Sequence, residues 1–226
     1  MKNILTTALL AAVLITFSTT PAATSAQTKS AKFTAADIAS ATDIPFPPNS
    51  IAVGVVTLSL SLDASGKIQN VEVQRDVPSL TSAVQDTVKT WTFTPASYKG
   101  SPIPSTLSVN VVFQPNQLTT APNGGMALAP PQAPPTVDRY VPPQITAASF
   151  AAYPANSVGQ GTVILDVTID KSGNVASVRP VKRVGSLTAP AIAAVKTWQF
   201  SAASDHNVPA TGRLIVAFVF RQTLTQ

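Results

Sequence analysis

The 226-residue chain contains no cysteine, so neither a disulfide framework nor thiolate chemistry is open to it, and its fold must rest on burial of apolar side chains. It has a single histidine, His206, and no clustered His, Cys or carboxylate residues at metal-ligand spacing. Charge is scarce: 11% of residues carry it, against 45% hydrophobic content, which places the chain outside the disordered regime. The formal charge of +5 is too small to point to nucleic acid. Nucleophile elbow, phosphate loop and dinucleotide fingerprint are also missing. The sequence therefore predicts no enzyme, no cofactor and no metal.

What is present begins with export. Lys2 precedes an apolar run over 4–17, and small, turn-forming residues follow up to Ala26, the layout of a signal peptide over 1–26. Cleavage would release the protein into the periplasm. The alternative is an uncleaved anchor at the inner membrane, facing the periplasm, because apolar character continues to Thr20. No other segment is long and apolar enough to span a bilayer. Membrane contact is thus expected only through that N-terminus or through a partner.

The dominant pattern is an internal repeat. A shift of 107 residues lays 46–113 on 153–220 without a gap. Asp63-Ala64-Ser65-Gly66 falls on Asp170-Lys171-Ser172-Gly173, Ser79-Leu80-Thr81 on Ser186-Leu187-Thr188, and Val88-Lys89-Thr90-Trp91 on Val195-Lys196-Thr197-Trp198. Pro47, Asn49 and Ser50 recur as Pro154, Asn156 and Ser157. Two copies are too few for a solenoid, so each is expected to be a domain with its own core. The expected organisation is an extension over 27–45, a first domain over 46–113, a linker over 114–143 and a second domain over 144–226. The linker carries Ala129-Pro130-Pro131 and Val141-Pro142-Pro143, which favour an extended polyproline II spacer.

Within each copy, Val56, Leu58, Leu60 and Leu62 alternate with Thr57, Ser59 and Ser61, and Val163, Leu165, Val167 and Ile169 repeat the pattern, predicting a half-buried strand. The Asp-x-Ser-Gly stretch supplies a hairpin turn into a second strand over 68–74 or 175–181. Pro180 lacks an N–H to donate and assigns that strand to a sheet edge. Ser79 and Ser186 read as helix N-caps ahead of Leu80, Val84, Val88 and Trp91, or Leu187, Ala191, Val195 and Trp198. A final strand alternates Leu107, Val109, Val111 and Phe113 with polar residues. In the second copy its other face is apolar too, through Ile215, Ala217 and Val219, so something should cover it.

Tyr153-Pro154, the strand, Ile169-Asp170-Lys171-Ser172-Gly173, the helix ending in Val195-Lys196-Thr197-Trp198-Gln199-Phe200, and the last strand together resemble the C-terminal domain of TonB, the bacterial energy transducer. The first copy is similar, with Phe46-Pro47 in place of Tyr-Pro. The resemblance implies an α+β fold of two tandem β-β-α-β domains, each a three-stranded antiparallel sheet against one helix, acting by contact with other proteins. It further implies that the last strand recruits an envelope partner, such as an outer-membrane transporter, as an added strand. By that resemblance the partner-binding candidates are Thr106, Ser108, Asn110 and Val112 in the first copy and Arg213, Ile215, Ala217 and Val219 in the second. A transducer by this resemblance needs a retained N-terminal helix, usually with a histidine, whereas residues 4–20 have none and read as cleavable, and the spacer is short and nearly uncharged. A periplasmic binding module therefore fits better than a complete energy transducer, which stands as the alternative; a peptidoglycan-binding protein is more remote. Exposed last strands also allow pairing between two copies as a homodimer.

Charge adds a second candidate surface. Four basic residues balance four acidic ones over 46–113, whereas 153–221 holds seven basic and three acidic residues. Arg179, Lys182 and Arg183 form a compact basic patch, which is either a solvated loop cluster or a face for an acidic partner. His206 stands where the first copy has Lys99, and a catalytic role would require a carboxylate beside it in a pocket. Asp63 and Asp170 are explained by their turns, and Trp91 and Trp198 by the core.

Overall fold

The computed structural model describes residues 33–115, 126–127, 140–155 and 157–221. The expected signal segment over 1–26 and most of the expected linker over 114–143 lie outside the described residues.

The alternating runs form the long strands the sequence predicts. In the first repeat these are β1 (Gly54–Leu62), β2 (Ile68–Arg75) and β3 (Ser105–Phe113), with α1 (Pro78–Val88) between β2 and β3. In the second repeat they are β4 (Gly161–Ile169), β5 (Val175–Lys182) and β6 (Gly212–Phe220), with α2 (Thr188–Val195) between β5 and β6. The hairpin turns follow the expected chemistry. The Asp63 carboxylate accepts the Ser65 N–H at 2.8 Å and the Lys67 N–H at 3.0 Å, and Asp170 does the same for Ser172 and Asn174. Gly173 sits at φ +85°, where a Cβ would lie 2.7 Å from the Phe200 carbonyl oxygen, so only glycine fits.

The helix starts differ from expectation. Ser79 is not the N-cap: α1 begins at Pro78, whose missing N–H suits the first turn, and Val77 precedes it. Thr81 takes over the terminus, its hydroxyl accepting the Val77 N–H at 3.0 Å and donating to the Val77 carbonyl at 3.2 Å. Ser79 instead bonds Ser50 at 2.8 Å. In the second repeat Ser186 lies in a 3₁₀ turn, Gly185–Leu187, and bonds Ser157 at 2.6 Å. The recurring serines thus tie the loop before each first strand to the helix start.

Instead of two separate three-stranded sheets, the long strands build one six-stranded sheet in the order β5-β4-β6-β3-β1-β2. Pairing within each repeat is antiparallel, and the repeats join through a parallel β3–β6 seam with Leu214 opposite Ser108 and Ala217 opposite Val111. In the repeat alignment Leu214 corresponds to Leu107, so the seam is offset by one residue. A one-residue offset reverses the face, so the core side of one repeat continues the outer side of the other. The helices consequently cover opposite faces of the sheet. The core under α1 gathers Leu80, Val84, Leu58 and Val111 with Ile164, Ile215, Ala217 and Val219 of the second repeat. The core under α2 gathers Leu187, Val195, Leu165 and Phe218 with Val55 and Val112 of the first. This answers what covers the second apolar face of β6: the core of the first repeat.

Short strands missed by periodicity complete the fold. Asp37–Ser40 pairs with Thr92–Thr94, and Gln144–Ala148 pairs with Gln199–Ser201. Two small hairpins, Ala96–Tyr98 with Ser101–Ile103 and Ala203–Asp205 with Val208–Ala210, precede β3 and β6.

Candidate functional site

The last strands lie at the centre of the sheet, each paired on both sides, so the expected recruiting edges are corrected: neither offers a free row of backbone groups. Ile215, Ala217 and Val219 are buried in the first repeat's core, and Val112 in the second's. Asn110 and Ser108 are buried polar residues. The Asn110 amide donates to Ser108 Oγ at 3.1 Å and to the Ile215 carbonyl at 3.4 Å, which places a polar tie across the seam. Thr106 sits near the start of β3, half-buried. The two-sided apolar character of β6 signalled that both of its faces are covered, but side-chain pattern does not report whether a strand's edges are paired.

The basic patch is also mostly consumed inside the molecule. Arg179 donates to Asp166 Oδ2 at 2.9 Å and to Asp37 Oδ1 at 2.6 Å, Arg213 bonds the same Asp166 oxygen, and Lys182 donates to Asp43 Oδ2 at 2.6 Å. Asp37 and Asp43 belong to an arm that precedes the first repeat and crosses to the second. There the Thr162 N–H donates to Asp43 Oδ1 at 3.0 Å and the Ile44 N–H to Thr162 Oγ1 at 2.9 Å. Arg183 is exposed, with no partner among the described residues. The cluster serves an electrostatic clasp between the N-terminal arm and the second repeat.

Burial pushes the Asp43 carboxyl up, but hydrogen bonds from Lys182 and Thr162 outweigh it and leave the group below its ordinary value. The Ser65 hydroxyl and the Lys67 N–H lower Asp63 to about 2, and the N–H groups of Asn174 and Ser172 lower Asp170. A folded-state pKa below the unfolded value of about 4 gives stability that is complete above that value and lost as pH falls through the folded pKa. The melting temperature is therefore expected to hold from pH 7 to about 5 and to fall between about 4 and 2. A melting profile flat to pH 2 would contradict the assignment.

His206 does meet a carboxylate, its Nδ1 lying 2.8 Å from Asp205 Oδ1, beside a cavity of about 700 Å³ that Phe33, Tyr98 and Tyr140 also line. His206 is largely exposed, at 62%, and Asp205 partly so, at 42%, and His206 occupies a left-handed hairpin position at φ +51°. No hydroxyl is bonded to the imidazole among the described residues, so the pair lacks the nucleophile that acid–base catalysis would serve. Trp91 and Trp198 are 4% and 6% exposed and give no platform for a glycan. No cluster able to hold a metal occurs among the described residues.

The outer strands β2 and β5 are the sheet edges. Each pairs on one side only among the described residues. Pro180 lies on β5, where its missing donor is tolerated. The family model described as Gram-negative bacterial TonB protein C-terminal matches residues 51–115 and 152–221, once on each repeat. The chain belongs to the TonB C-terminal family. No curated protein and no solved structure matches the chain significantly. TonB C-terminal domains are non-enzymatic interaction modules of the periplasm or envelope. No helix among the described residues is long and apolar enough to cross a membrane.

Proposed function

We propose that this protein is a non-enzymatic interaction module of the cell envelope that binds a protein partner by strand addition at an outer edge of its joined sheet. The observation that carries the proposal is the one-sided pairing of β2 and β5, set against the double pairing of β3 and β6. An edge strand presents unpaired N–H and C=O groups, and an extended segment that joins it gains a ladder of backbone hydrogen bonds. The partner class is an envelope protein, with an outer-membrane transporter as the specific candidate; a second copy pairing edge to edge would give a homodimer. Export through residues 1–26 delivers the module to the periplasm. The seam residues Ile215, Ala217, Val219 and Asn110 act indirectly, by holding the two edges on one rigid sheet.

The test places a photo-crosslinking amino acid at Gln69 on β2 or at Ala176 on β5, both exposed, with Ile51 in an exposed loop as control. In envelope extract, an edge position is expected to crosslink to one identified envelope protein while Ile51 does not. Crosslinks from Ile51 alone would contradict strand addition.

A further inference from the structure

We propose that the receptive edge is β5 and that its occupant is an extended peptide segment carrying carboxylates, with small apolar side chains on its alternate positions. The inference rests on the strand-addition reading and adds to it the edge and the chemistry of the guest.

Three observations converge. First, a groove of about 780 Å³ runs beside the first half of β5, lined by Val175 and Val178 of the strand and by Ile192, Lys196, Trp198 and Phe200. Trp198 and Phe200 are 6% and 9% exposed and make an apolar floor. A strand laid along β5 would direct every second side chain to that floor, because side chains alternate with period two. Pro180 falls outside this stretch, so the donors of residues 175–178 are intact.

Second, the groove is positively charged at sites that the protein does not neutralise. Lys196 lines it and Lys171 lies in the turn at its end, and neither has an acidic partner among the described residues. The other cations of the strand, Arg179 and Lys182, are already held by Asp37, Asp166 and Asp43. The counterpart of Lys196 is Lys89, which pairs with Asp86 at 3.4 Å, and the counterpart of Lys171 is Ala64.

Third, the β2 edge is dressed against such a guest. Gln69 stands where β5 has Ala176, with its amide bonded to Asp63 at 2.7 Å, and Gln85 stands where α2 has Ile192. Glu72 and Asp76 are balanced by Lys67 and Arg75 on that side, and Asp86 is held by Lys89. An acidic strand therefore gains no net attraction there, while the lysines attract it at β5.

The probe is a synthetic ten-residue peptide of alternating valine and aspartate, capped at both ends, titrated into the isotope-labelled protein and followed by amide NMR. A valine–lysine peptide and a valine–aspartate peptide N-methylated at alternate backbone positions serve as comparisons. The expected result is shifts confined to residues 171–178 and 192–200, with affinity about tenfold weaker for the lysine peptide and for a Lys171→Gln/Lys196→Gln variant, and loss of binding on N-methylation. Shifts on β2, or equal affinity for the acidic and basic peptides, would overturn the assignment to β5 and leave strand addition standing. If no peptide shifts either edge at millimolar concentration, both the assignment and the strand-addition reading fall.

Discussion

Ala217→Asp is expected to destroy the joined sheet. Ala217 is fully buried on β6, flanked by Ile164 of β4 and Val111 of β3, and packs into the core under α1. An aspartate there puts a carboxylate among apolar side chains with no cation in reach. Leaving a charge buried without a partner costs several kcal/mol, comparable with the whole stability of a small domain, about 5–15 kcal/mol. Loss of the native circular dichroism spectrum at 25 °C is the expected readout. Ala217→Ser, which adds one hydroxyl able to bond locally, should remain folded at a cost of about 1–3 kcal/mol. A folded Ala217→Asp protein of wild-type stability would show that this strand does not lie at the centre of the sheet.

The second large effect is expected at Asp166. Its carboxylate is 1% exposed and draws in both Arg179 and Arg213, while Asp37 holds the outer side of the same two guanidinium groups. Asp166→Ala strands Arg213, which is only 24% exposed, with a single acidic partner. Removing one member of a buried ion pair costs about 3–5 kcal/mol, and the surviving Asp37 contacts point to the lower end, about 3 kcal/mol by urea denaturation. The exposed Lys89–Asp86 pair supplies the contrast, with side chains 58% and 78% exposed. Asp86→Ala is expected to change stability by less than about 0.5 kcal/mol. Equal effects at the two sites would remove the case for a buried ion cluster centred on Asp166.

These two positions also show where sequence reasoning reaches and where it stops. Strand alternation, the Asp-x-Ser-Gly turns, the edge position of Pro180 and the burial of Trp91 and Trp198 are local properties, written in spacing and residue type. The seam is not local. Nothing in the alternation of β3 or β6 states that two last strands pair in parallel with a one-residue offset, although the apolar Ile215, Ala217 and Val219 signalled that some cover was required. The partners of the basic patch were hidden for a related reason: Asp37 and Asp43, which neutralise Arg179 and Lys182, lie about 140 residues away along the chain. Ser79 failed as a cap because Pro78 and Thr81 already settle that helix start. Three-residue strands such as Thr92–Thr94 are shorter than any period that sequence can display.

The family resemblance carried the module's nature but placed the recruiting edge on the last strand. Duplication changes that placement. Once two copies bury their last strands against each other, the edges of the long-stranded sheet among the described residues are β2 and β5, and it is there that the proposed strand addition is placed.

Amide hydrogen exchange of the free protein, resolved by residue, tests this arrangement most directly. The account predicts that β3 and β6 hold the slowest-exchanging amides, because both sides of each strand are hydrogen-bonded and buried, while alternate amides of β2 and β5 exchange faster by orders of magnitude. If β3 and β6 instead exchange with the alternating fast pattern of edge strands, the repeats are not joined through their last strands, and the recruiting edge returns to them.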